Sequence, residues 1–387
     1  MSVSRRAFVK TLGVGGAAAA ILSYDGPRAV ARAWAEMLPE AERPLLLHNN
    51  ENPLGPGPKV LETMGSALGH GAPAGRYPFG IGRELAGVIA RAHGVSPDNV
   101  MIGNGSTQLL RSATHVFTSK LKPLVSGSPS YEECAGYAKV VGHPVVPVPL
   151  DDWMKLDLDA MADAARGAGM VFLNNPNNPT ATLHSADAIG ACVERVLSET
   201  PDTRVLIDEA YHDYVTDTSH RTQIPLAAKN KRVLVARTFS KAHGMAGMRI
   251  GFVVGHPEAL ATMRKWHYGL SLNVLALAGA SVSMKDRVRI EKEQQRNTEA
   301  RRFTLDWFKA RGFEATDSQT NFIFVKTGVP AKQFRQGCLE HAVRVGRNFP
   351  PYEKAWARVS IGTLEEMRRA TRVFAQVLGV AAEAVAA

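Results

Sequence analysis

A lysine follows a predicted strand and stands among residues that suit a phosphate group. The run Thr238-Phe239-Ser240-Lys241 comes directly after the apolar residues 233–236, and Arg249 lies eight positions beyond the lysine. A neutral lysine amine attacks an aldehyde, while hydroxyls and a guanidinium bind phosphate oxygens. Lys241 is therefore a candidate for binding a phosphorylated aldehyde, with an ordinary surface lysine as the alternative.

An aspartate ends a second apolar run. Asp208 follows the apolar residues 205–207, and Tyr211 comes three positions later. A carboxylate in such a place stays ionised when a cationic group pairs with it, as a protonated pyridine nitrogen does. Tyr211 is then able to donate a hydrogen bond to an oxygen on the same ring. A helix N-cap role for Asp208 is the alternative.

Two more polar loops follow predicted strands. Residues 174–180, Asn-Asn-Pro-Asn-Asn-Pro-Thr, form either a simple turn or a rigid amide donor held between prolines. Residues 103–108, Gly-Asn-Gly-Ser-Thr-Gln, lie between a strand and a helix, where backbone N–H groups are able to bind an anion. Their spacing differs from G-x-G-x-x-G, which excludes the dinucleotide-binding fingerprint. The second loop therefore predicts a phosphate site.

The elements that position these loops alternate between strand and helix. Strands are predicted at residues 100–102, 123–125, 144–148, 170–173, 205–207, 233–236 and 251–254, and helices include 107–118, 186–198 and 281–308. Buried strands separated by helices are typical of an α/β fold with a doubly wound, mainly parallel sheet. Sites in such sheets lie beyond the carboxyl ends of the strands, so the loops are expected to meet at one edge.

The chain is predicted to have a large and a small domain. Residues 76–309 form the large domain. From residue 310 the pattern changes, and residues 310–387 are predicted to form a small α+β domain together with the N-terminal segment 36–75. Residues 1–35 are set apart as an export signal.

In chain order these motifs resemble fold-type I pyridoxal-phosphate enzymes, most closely the histidinol-phosphate aminotransferase branch of the class I/II aminotransferases. The match runs from about Leu45 to the C-terminus. It comprises Asn50-Glu51-Asn52-Pro53-Leu54-Gly55-Pro56, Arg76-Tyr77-Pro78, residues 103–107, Pro129-Ser130-Tyr131, Asn177-Asn178-Pro179-Thr180, Asp208-Glu209-Ala210-Tyr211, and Ser240-Lys241 with Arg249. The resemblance implies a pyridoxal 5'-phosphate cofactor and amino transfer between an amino acid and a 2-oxo acid.

The resemblance also implies a role for each matching residue. Lys241 is expected to hold the cofactor as a Schiff base and to move the proton between Cα and C4′, while Asp208 keeps the pyridine nitrogen protonated. The other expected contacts are with the ring oxygen O3′ (Asn178, Tyr211), the ring face (Tyr131) and the phosphate (Ser106, Thr107, Thr238, Ser240, Arg249). Tyr77 is expected to reach the phosphate from the other subunit of a homodimer with shared active sites.

Two arginines are candidates for substrate binding, with Asn178 beside them. Arg358 matches the arginine that binds the substrate α-carboxylate through two hydrogen bonds, and a structural salt bridge is the alternative. Histidinol-phosphate aminotransferases are expected to place a phosphate-binding arginine thirteen residues earlier, where this chain has Val345. Arg347, two residues on, is able to substitute only if the loop is shifted. Histidinol phosphate is therefore not the expected substrate, and the donor and acceptor stay open.

Other outcomes of the same cofactor chemistry also stay open. A pyridoxal-phosphate-dependent lyase, decarboxylase or oxidase would use the same residues, and a cofactor-binding regulator would need a DNA-binding module for which we see no room. The chain has 46 Lys+Arg against 36 Asp+Glu, but the basic residues are scattered, so no nucleic-acid partner is expected. Cys134, Cys192 and Cys338 have no metal-site or disulfide spacing and are expected to be small buried residues.

The N-terminus resembles a twin-arginine export signal. Arg5 and Arg6 precede a weakly apolar, Gly/Ala-rich stretch over residues 11–22, and small residues at 31, 33 and 35 offer cleavage positions. The resemblance implies export by the twin-arginine machinery, to the periplasm or beyond. A cytoplasmic protein with a fortuitous N-terminus is the alternative.

Overall fold

The computed structural model describes residues 44–69, 71–266 and 271–382. By its contacts the chain divides into two units, Met1–Leu45 and Leu46–Ala387. The predicted export signal, residues 1–35, lies outside the described residues. Among the described residues no helix is both long and apolar enough to cross a membrane.

Strands and helices alternate through most of the chain. The strands are β1 (Leu45–Leu47), β2 (Val100–Gly103), β3 (Leu124–Ser128), β4 (Val145–Pro149), β5 (Met170–Asn174), β6 (Arg204–Asp208), β7 (Val233–Thr238), β8 (Gly251–Gly255), β9 (Phe322–Lys326), β10 (Val343–Val345) and β11 (Trp356–Ser360). The helices are α1 (Pro58–Ser66), α2 (Phe79–His93), α3 (Gly105–Phe117), α4 (Glu133–Val140), α5 (Leu158–Ala164), α6 (Ala186–Glu199), α7 (Ile224–Lys229), α8 (Pro257–Arg264), α9 (Val274–Lys285), α10 (Arg287–Lys309), α11 (Ala331–Glu340) and α12 (Leu364–Leu378).

The predicted doubly wound sheet is confirmed. Its seven strands lie in the order β2-β8-β7-β6-β5-β3-β4, and each contains one of the seven strands predicted from the sequence, at least in part. All neighbouring pairs are parallel except the two that involve β8. Alternate residues of β7 pack into two different apolar clusters, Val233 and Val235 in one and Leu234 and Ala236 in the other. Both faces of the sheet are therefore covered.

The register of the sheet places the predicted site residues side by side. Asn174 at the end of β5 lies opposite Asp208 at the end of β6, and Thr238 at the end of β7 lies opposite Gly251 at the start of β8. Because parallel strands end at the same edge, their loops converge there. The helix α3, which follows β2, begins at this edge too.

The single helix predicted over residues 281–308 is wrong. Two helices, α9 and α10, occupy this stretch, and Asp286 separates them with a non-helical backbone (φ −90°, ψ 67°). The Asp286 carboxylate accepts a hydrogen bond from the Arg289 backbone N–H at 3.4 Å, so it caps α10. Capping by aspartate overrides the continuous helical pattern.

The C-terminal part forms a small α+β region with the N-terminal segment. Strands β9 and β11 pair antiparallel, with Arg358 opposite Phe324. The Asn50 backbone N–H donates to Ser360 Oγ at 2.9 Å, and Asn321 Nδ2 donates to the Asn50 carbonyl at 2.9 Å. These bonds hold the segment around Asn50 against β11. The division into a large domain over residues 76–309 and a small domain over residues 310–387 with the segment 36–75 stays a prediction.

Candidate active site

A cleft of about 390 Å³ at the carboxyl edge of the sheet gathers the predicted site residues. It is lined by Ser106, Thr107, Tyr131, Asn178, Asp208, Tyr211, Thr238, Ser240, Lys241, Arg249, Arg347 and Arg358. Tyr77 does not line it, and its side chain is 76% exposed. All of the predicted site residues except Tyr77 are therefore brought together within one chain.

Lys241 lies just past the end of β7. Its Nζ donates to the Asn49 carbonyl oxygen at 3.1 Å and lies 5.8 Å from the centre of the Tyr211 ring. Burial, and next the positive charge of Arg358, lower the pKa of Lys241 to about 8. The lysine is thus closer to the neutral, nucleophilic form than a surface lysine would be.

Asp208 is buried at the end of β6. The Ala210 backbone N–H donates to its Oδ1 at 3.1 Å, and burial raises the pKa of the carboxyl to about 7. A buried carboxylate is costly without a cationic partner. Asp208 is consequently a group whose charge a bound pyridinium would stabilise.

The phosphate end of the cleft is formed by backbone as much as by side chains. Ser106 and Thr107 belong to the first turn of α3, where N–H groups have no acceptor within the helix. Thr238 Oγ1 donates to Ser240 Oγ at 2.9 Å. The Arg249 guanidinium lies against Gly105, where any side chain would overlap it. This is a small cup of hydrogen-bond donors.

The middle of the cleft is aromatic and polar. The Tyr211 hydroxyl accepts a hydrogen bond from Asn50 Nδ2 at 3.1 Å, and burial raises the pKa of that hydroxyl. Burial also raises the pKa of Tyr131 to about 12. Both phenols therefore stay protonated and are able to donate at neutral pH.

Arg358 of β11 is buried and contacts two segments of the chain that lie far apart in sequence. Its Nη1 donates to Asn178 Oδ1 at 2.7 Å and its Nη2 donates to the His48 carbonyl at 2.6 Å. Its Nε is buried and has no hydrogen-bond partner among the described residues. Burial lowers the pKa of Arg358 to about 10, so the group stays cationic at neutral pH. Arg358 lines the cleft, so its guanidinium offers a cationic fork there.

Arg347 reaches the same cleft from the loop after β10. Its Nη2 pairs with Glu132 Oε2 at 2.6 Å, and its side chain is 51% exposed. The guanidinium carbons of Arg347 and Arg358 lie 4.3 and 4.8 Å from the centre of the Phe349 ring. Val345 is buried, whereas Arg347 lines the cleft.

Some lining residues were not predicted to have a role. They are Asn49, Asn50, Glu51, Asn174, Ala210, Ala246 and Gly247. Asn50, Glu51, Asn174 and Ala210 lie inside or next to motifs that the sequence displays, and that adjacency is a usable signal. Asn49 contributes through its backbone carbonyl, for which its residue type gives no signal.

Pyridoxal phosphate, which the resemblance implies, fits this set of groups. A lysine of lowered pKa suits the aldehyde, the cup at the start of α3 suits the phosphate, and buried Asp208 suits a protonated ring nitrogen. The close approach of Gly251 to this cup points the same way: a Cβ there would lie 2.5 Å from the Ser106 backbone nitrogen.

Known proteins share both the sequence and the fold. A family model described as aminotransferase class I and II matches residues 43–374. The chain is 34% identical over 338 residues to the histidinol-phosphate aminotransferase of Symbiobacterium thermophilum, covering 86% of this chain and 90% of that protein. It is also 34% identical over 352 residues to histidinol-phosphate aminotransferase 2 of Nitrosospira multiformis, covering 90% of this chain and 87% of that protein.

A solved structure extends the likeness to the fold. The histidinol-phosphate aminotransferase of Sinorhizobium meliloti, in complex with pyridoxal-5'-phosphate, has a TM-score of 0.80 over 92% of this chain and 95% of that one, at 24% identity. Because the family model spans most of the sequence, the chain belongs to the class I and II aminotransferases and is a pyridoxal-phosphate-dependent aminotransferase.

Proposed function

We propose that this aminotransferase takes amino acids and 2-oxo acids whose α-carboxylate is bound by Arg358. The observation that carries the proposal is the Arg358 guanidinium, which lines the cleft and is held in place by Asn178 and the His48 carbonyl. A carboxylate supplies the two parallel acceptors that a guanidinium fork pairs with.

The side chains around the cleft divide the work of the reaction. Bound pyridoxal phosphate supplies an aldehyde that accepts amines and a ring that withdraws electrons from the substrate Cα. Lys241 would take the proton from that Cα and deliver it to C4′ of the cofactor, and its lowered pKa leaves a usable fraction neutral. Asp208 would keep a proton on the ring nitrogen of the bound cofactor, and Asn178 and Tyr211 would hydrogen-bond its ring oxygen.

Arg347 is proposed to recognise the far end of the substrate. Its partner Glu132 is itself 59% exposed, and exposed ion pairs contribute little stability, so an acidic substrate group is able to replace Glu132 at small cost. Arg347→Ala should therefore reduce kcat/KM for acidic donors and leave small neutral donors nearly unchanged. Equal losses for every donor would contradict this division between Arg347 and Arg358.

A spectroscopic screen tests the reaction type and finds the donor. Each amino acid is mixed with the purified holoenzyme without an acceptor, and the absorbance of the pyridoxal form is followed as it changes to that of pyridoxamine phosphate. Addition of a 2-oxo acid should reverse the change. Catalytic release of product without any acceptor would instead indicate a lyase, decarboxylase or oxidase.

We also propose that the protein is exported through the twin-arginine machinery. Support comes from Arg5 and Arg6 and the weakly apolar stretch that follows them. Replacing both arginines with lysine keeps the charge and should leave the protein in the cytoplasmic fraction. Unchanged fractionation of this variant would refute the proposal.

The active site is proposed to be completed by a second subunit. Tyr77 is 76% exposed and lies outside the cleft of its own chain, and Phe79 beside it is 61% exposed. Large exposed aromatic side chains are typical of protein interfaces. In a homodimer, Tyr77 of one subunit would hydrogen-bond the phosphate held by the other.

A further inference from the structure

A buried ion pair joins the two strands that carry Asp208 and Thr238. Glu209 follows Asp208, and Arg237 precedes Thr238; both side chains are buried. Arg237 Nε donates to Glu209 Oε2 at 3.0 Å, and its Nη2 lies 2.9 Å from the same oxygen. β6 and β7 are adjacent, so the ion pair joins them at the edge of the sheet where the cleft lies.

Other donors hold Glu209 in place. Thr222 Oγ1 donates to Oε2 at 2.7 Å, and the Gln223 backbone N–H donates to Oε1 at 2.7 Å, just before α7. The Glu209 backbone N–H donates to the Ala236 carbonyl at 2.9 Å. Together with Arg237, these donors surround the Glu209 carboxylate, which lies directly after Asp208 in the chain.

The surroundings of the pair are rich in histidine. His212 Nδ1 lies 3.9 Å from Glu209 Oε2 and 2.9 Å from His220 Nε2, while His93 and His243 line a small cavity beside Arg237. Burial lowers the pKa of all four, which leaves them neutral at neutral pH. Asp213 and Arg287 also line that cavity and carry charge.

We propose that Arg237 neutralises the charge of Glu209 and thereby sets the proton equilibria of Asp208 and of the lysine-bound cofactor next to it. The charge of Glu209 opposes ionisation of Asp208, its neighbour in the chain. A cation bonded to that carboxylate cancels most of this field. Glu209 and Arg237 are thus positioning residues that act through Asp208, and the inference rests on the cofactor site proposed above.

The test compares Glu209→Gln, Arg237→Gln and the double variant by titrating the absorbance of the bound cofactor with pH. Glu209→Gln leaves the buried positive charge of Arg237 without its partner. This charge should lower the midpoint of the absorbance titration by about one pH unit, as expected of a unit charge on the order of 10 Å away. Arg237→Gln should raise the midpoint by less, because a buried carboxylate without its cation takes up a proton more readily. The double variant should return close to wild type.

Two further variants separate charge from structure. Arg237→Lys keeps the charge and should keep the midpoint even if the protein melts at a lower temperature. Arg195→Gln removes one positive charge from a surface cluster in which Arg195 pairs with Asp159, Asp163 and Glu199, and it should leave the midpoint unchanged. The cofactor dissociation constant, measured by equilibrium dialysis, shows which variants bind cofactor normally.

The proposal would be overturned if both single variants shifted the midpoint in the same direction. It would also be overturned if they bound the cofactor less tightly without any shift, or if the midpoint of the double variant did not return to the wild-type value. The pair would then be purely structural. A wrong assignment of the cofactor site would give a different result. The unmodified protein would then show no absorbance of a lysine-bound cofactor.

Discussion

Arg358 connects three parts of the chain at one guanidinium. Asn178 comes from the loop after β5, the His48 carbonyl from the N-terminal segment, and Arg358 itself from β11. Such a rigid mounting favours planar, two-point recognition of a carboxylate over simple charge attraction.

Arg358→Lys should therefore keep the charge and lose the fork. We expect a loss in kcat/KM on the order of 2–3 kcal/mol for every amino acid donor. The absorbance of the bound cofactor should survive, because Lys241 and the phosphate cup are untouched. Steady-state kinetics with the best donor measure the loss, and an unchanged kcat/KM would show that Arg358 does not bind the α-carboxylate.

The lowered pKa of Lys241 predicts how the apoenzyme takes up its cofactor. The ordinary value is 10.5 and the value here is about 8, which leaves roughly 300-fold more neutral amine at pH 7. The neutral form is the nucleophile, so the initial rate of cofactor binding should rise with pH and level off above about 8. Stopped-flow absorbance measures it.

The positive charge of Arg358 provides the control for this pH profile. Because that charge contributes to lowering the pKa of Lys241, Arg358→Gln should move the midpoint of the profile to higher pH. A rate that is independent of pH over about three units around pH 8 would contradict the assignment of Lys241 as the attacking amine.

Functional side chains within motifs could be predicted from the sequence. Contacts made by backbone atoms or by distant ion-pair partners could not. Lys241, Asp208 and Arg249 stand at strand ends in recognisable motifs. Folding brings two partners to the site from distant parts of the chain. They are the Asn49 carbonyl, which accepts a hydrogen bond from Lys241, and Glu132, which pairs with Arg347. Their residue types carry no signal of that proximity.

β8 and α3 approach each other closely at the phosphate end of the cleft. Gly251 begins β8 directly beside the backbone nitrogen of Ser106, and a Cβ at this position would lie 2.5 Å from that nitrogen. The obstacle is backbone, which is unable to rotate away as a side chain would.

Gly251→Ala should consequently push the start of α3 and weaken cofactor binding by about tenfold or more. Gly255→Ala is the matched control at the other end of the same strand, where a Cβ would meet the flexible Leu234 side chain. Both variants should lose stability, but only Gly251→Ala should raise the cofactor dissociation constant. Equal dissociation constants would show that the cup does not depend on this contact.

Strands were easier to predict than helix boundaries for a physical reason. A strand buried on both faces needs a run of apolar, branched residues, and such a run is visible in the sequence. Helices α9 and α10 meet at Asp286, whose side chain caps the second helix, and polar residues are equally common within exposed helices. The sequence around Asp286 therefore predicts one helix as readily as two.

The proposed dimer predicts complementation between Lys241→Ala and Tyr77→Ala. Lys241→Ala removes the lysine of its own site, whereas Tyr77→Ala would damage only the site of the other subunit. When the two proteins exchange subunits, half of the dimers are mixed and each has one intact site, so about a quarter of wild-type activity should appear.

Size-exclusion chromatography before and after mixing controls for a change in assembly. If Tyr77 acted within its own chain, no mixed dimer would contain an intact site, and the mixture would stay as inactive as the two variants alone. Tyr77→Ala homodimers of full activity would remove Tyr77 from the site altogether.

Borohydride reduction followed by peptide mass spectrometry reports which lysine carries the cofactor and whether an amino donor releases it. Reduction of the holoenzyme should fix a pyridoxyl group on the peptide that contains Lys241. After incubation with an effective donor and no acceptor, the same reduction should leave Lys241 unmodified, because the cofactor has taken up the amino group and left the lysine. A label on another lysine, or one that persists at Lys241 with a donor that is consumed, would contradict the assignment of this chain's active site.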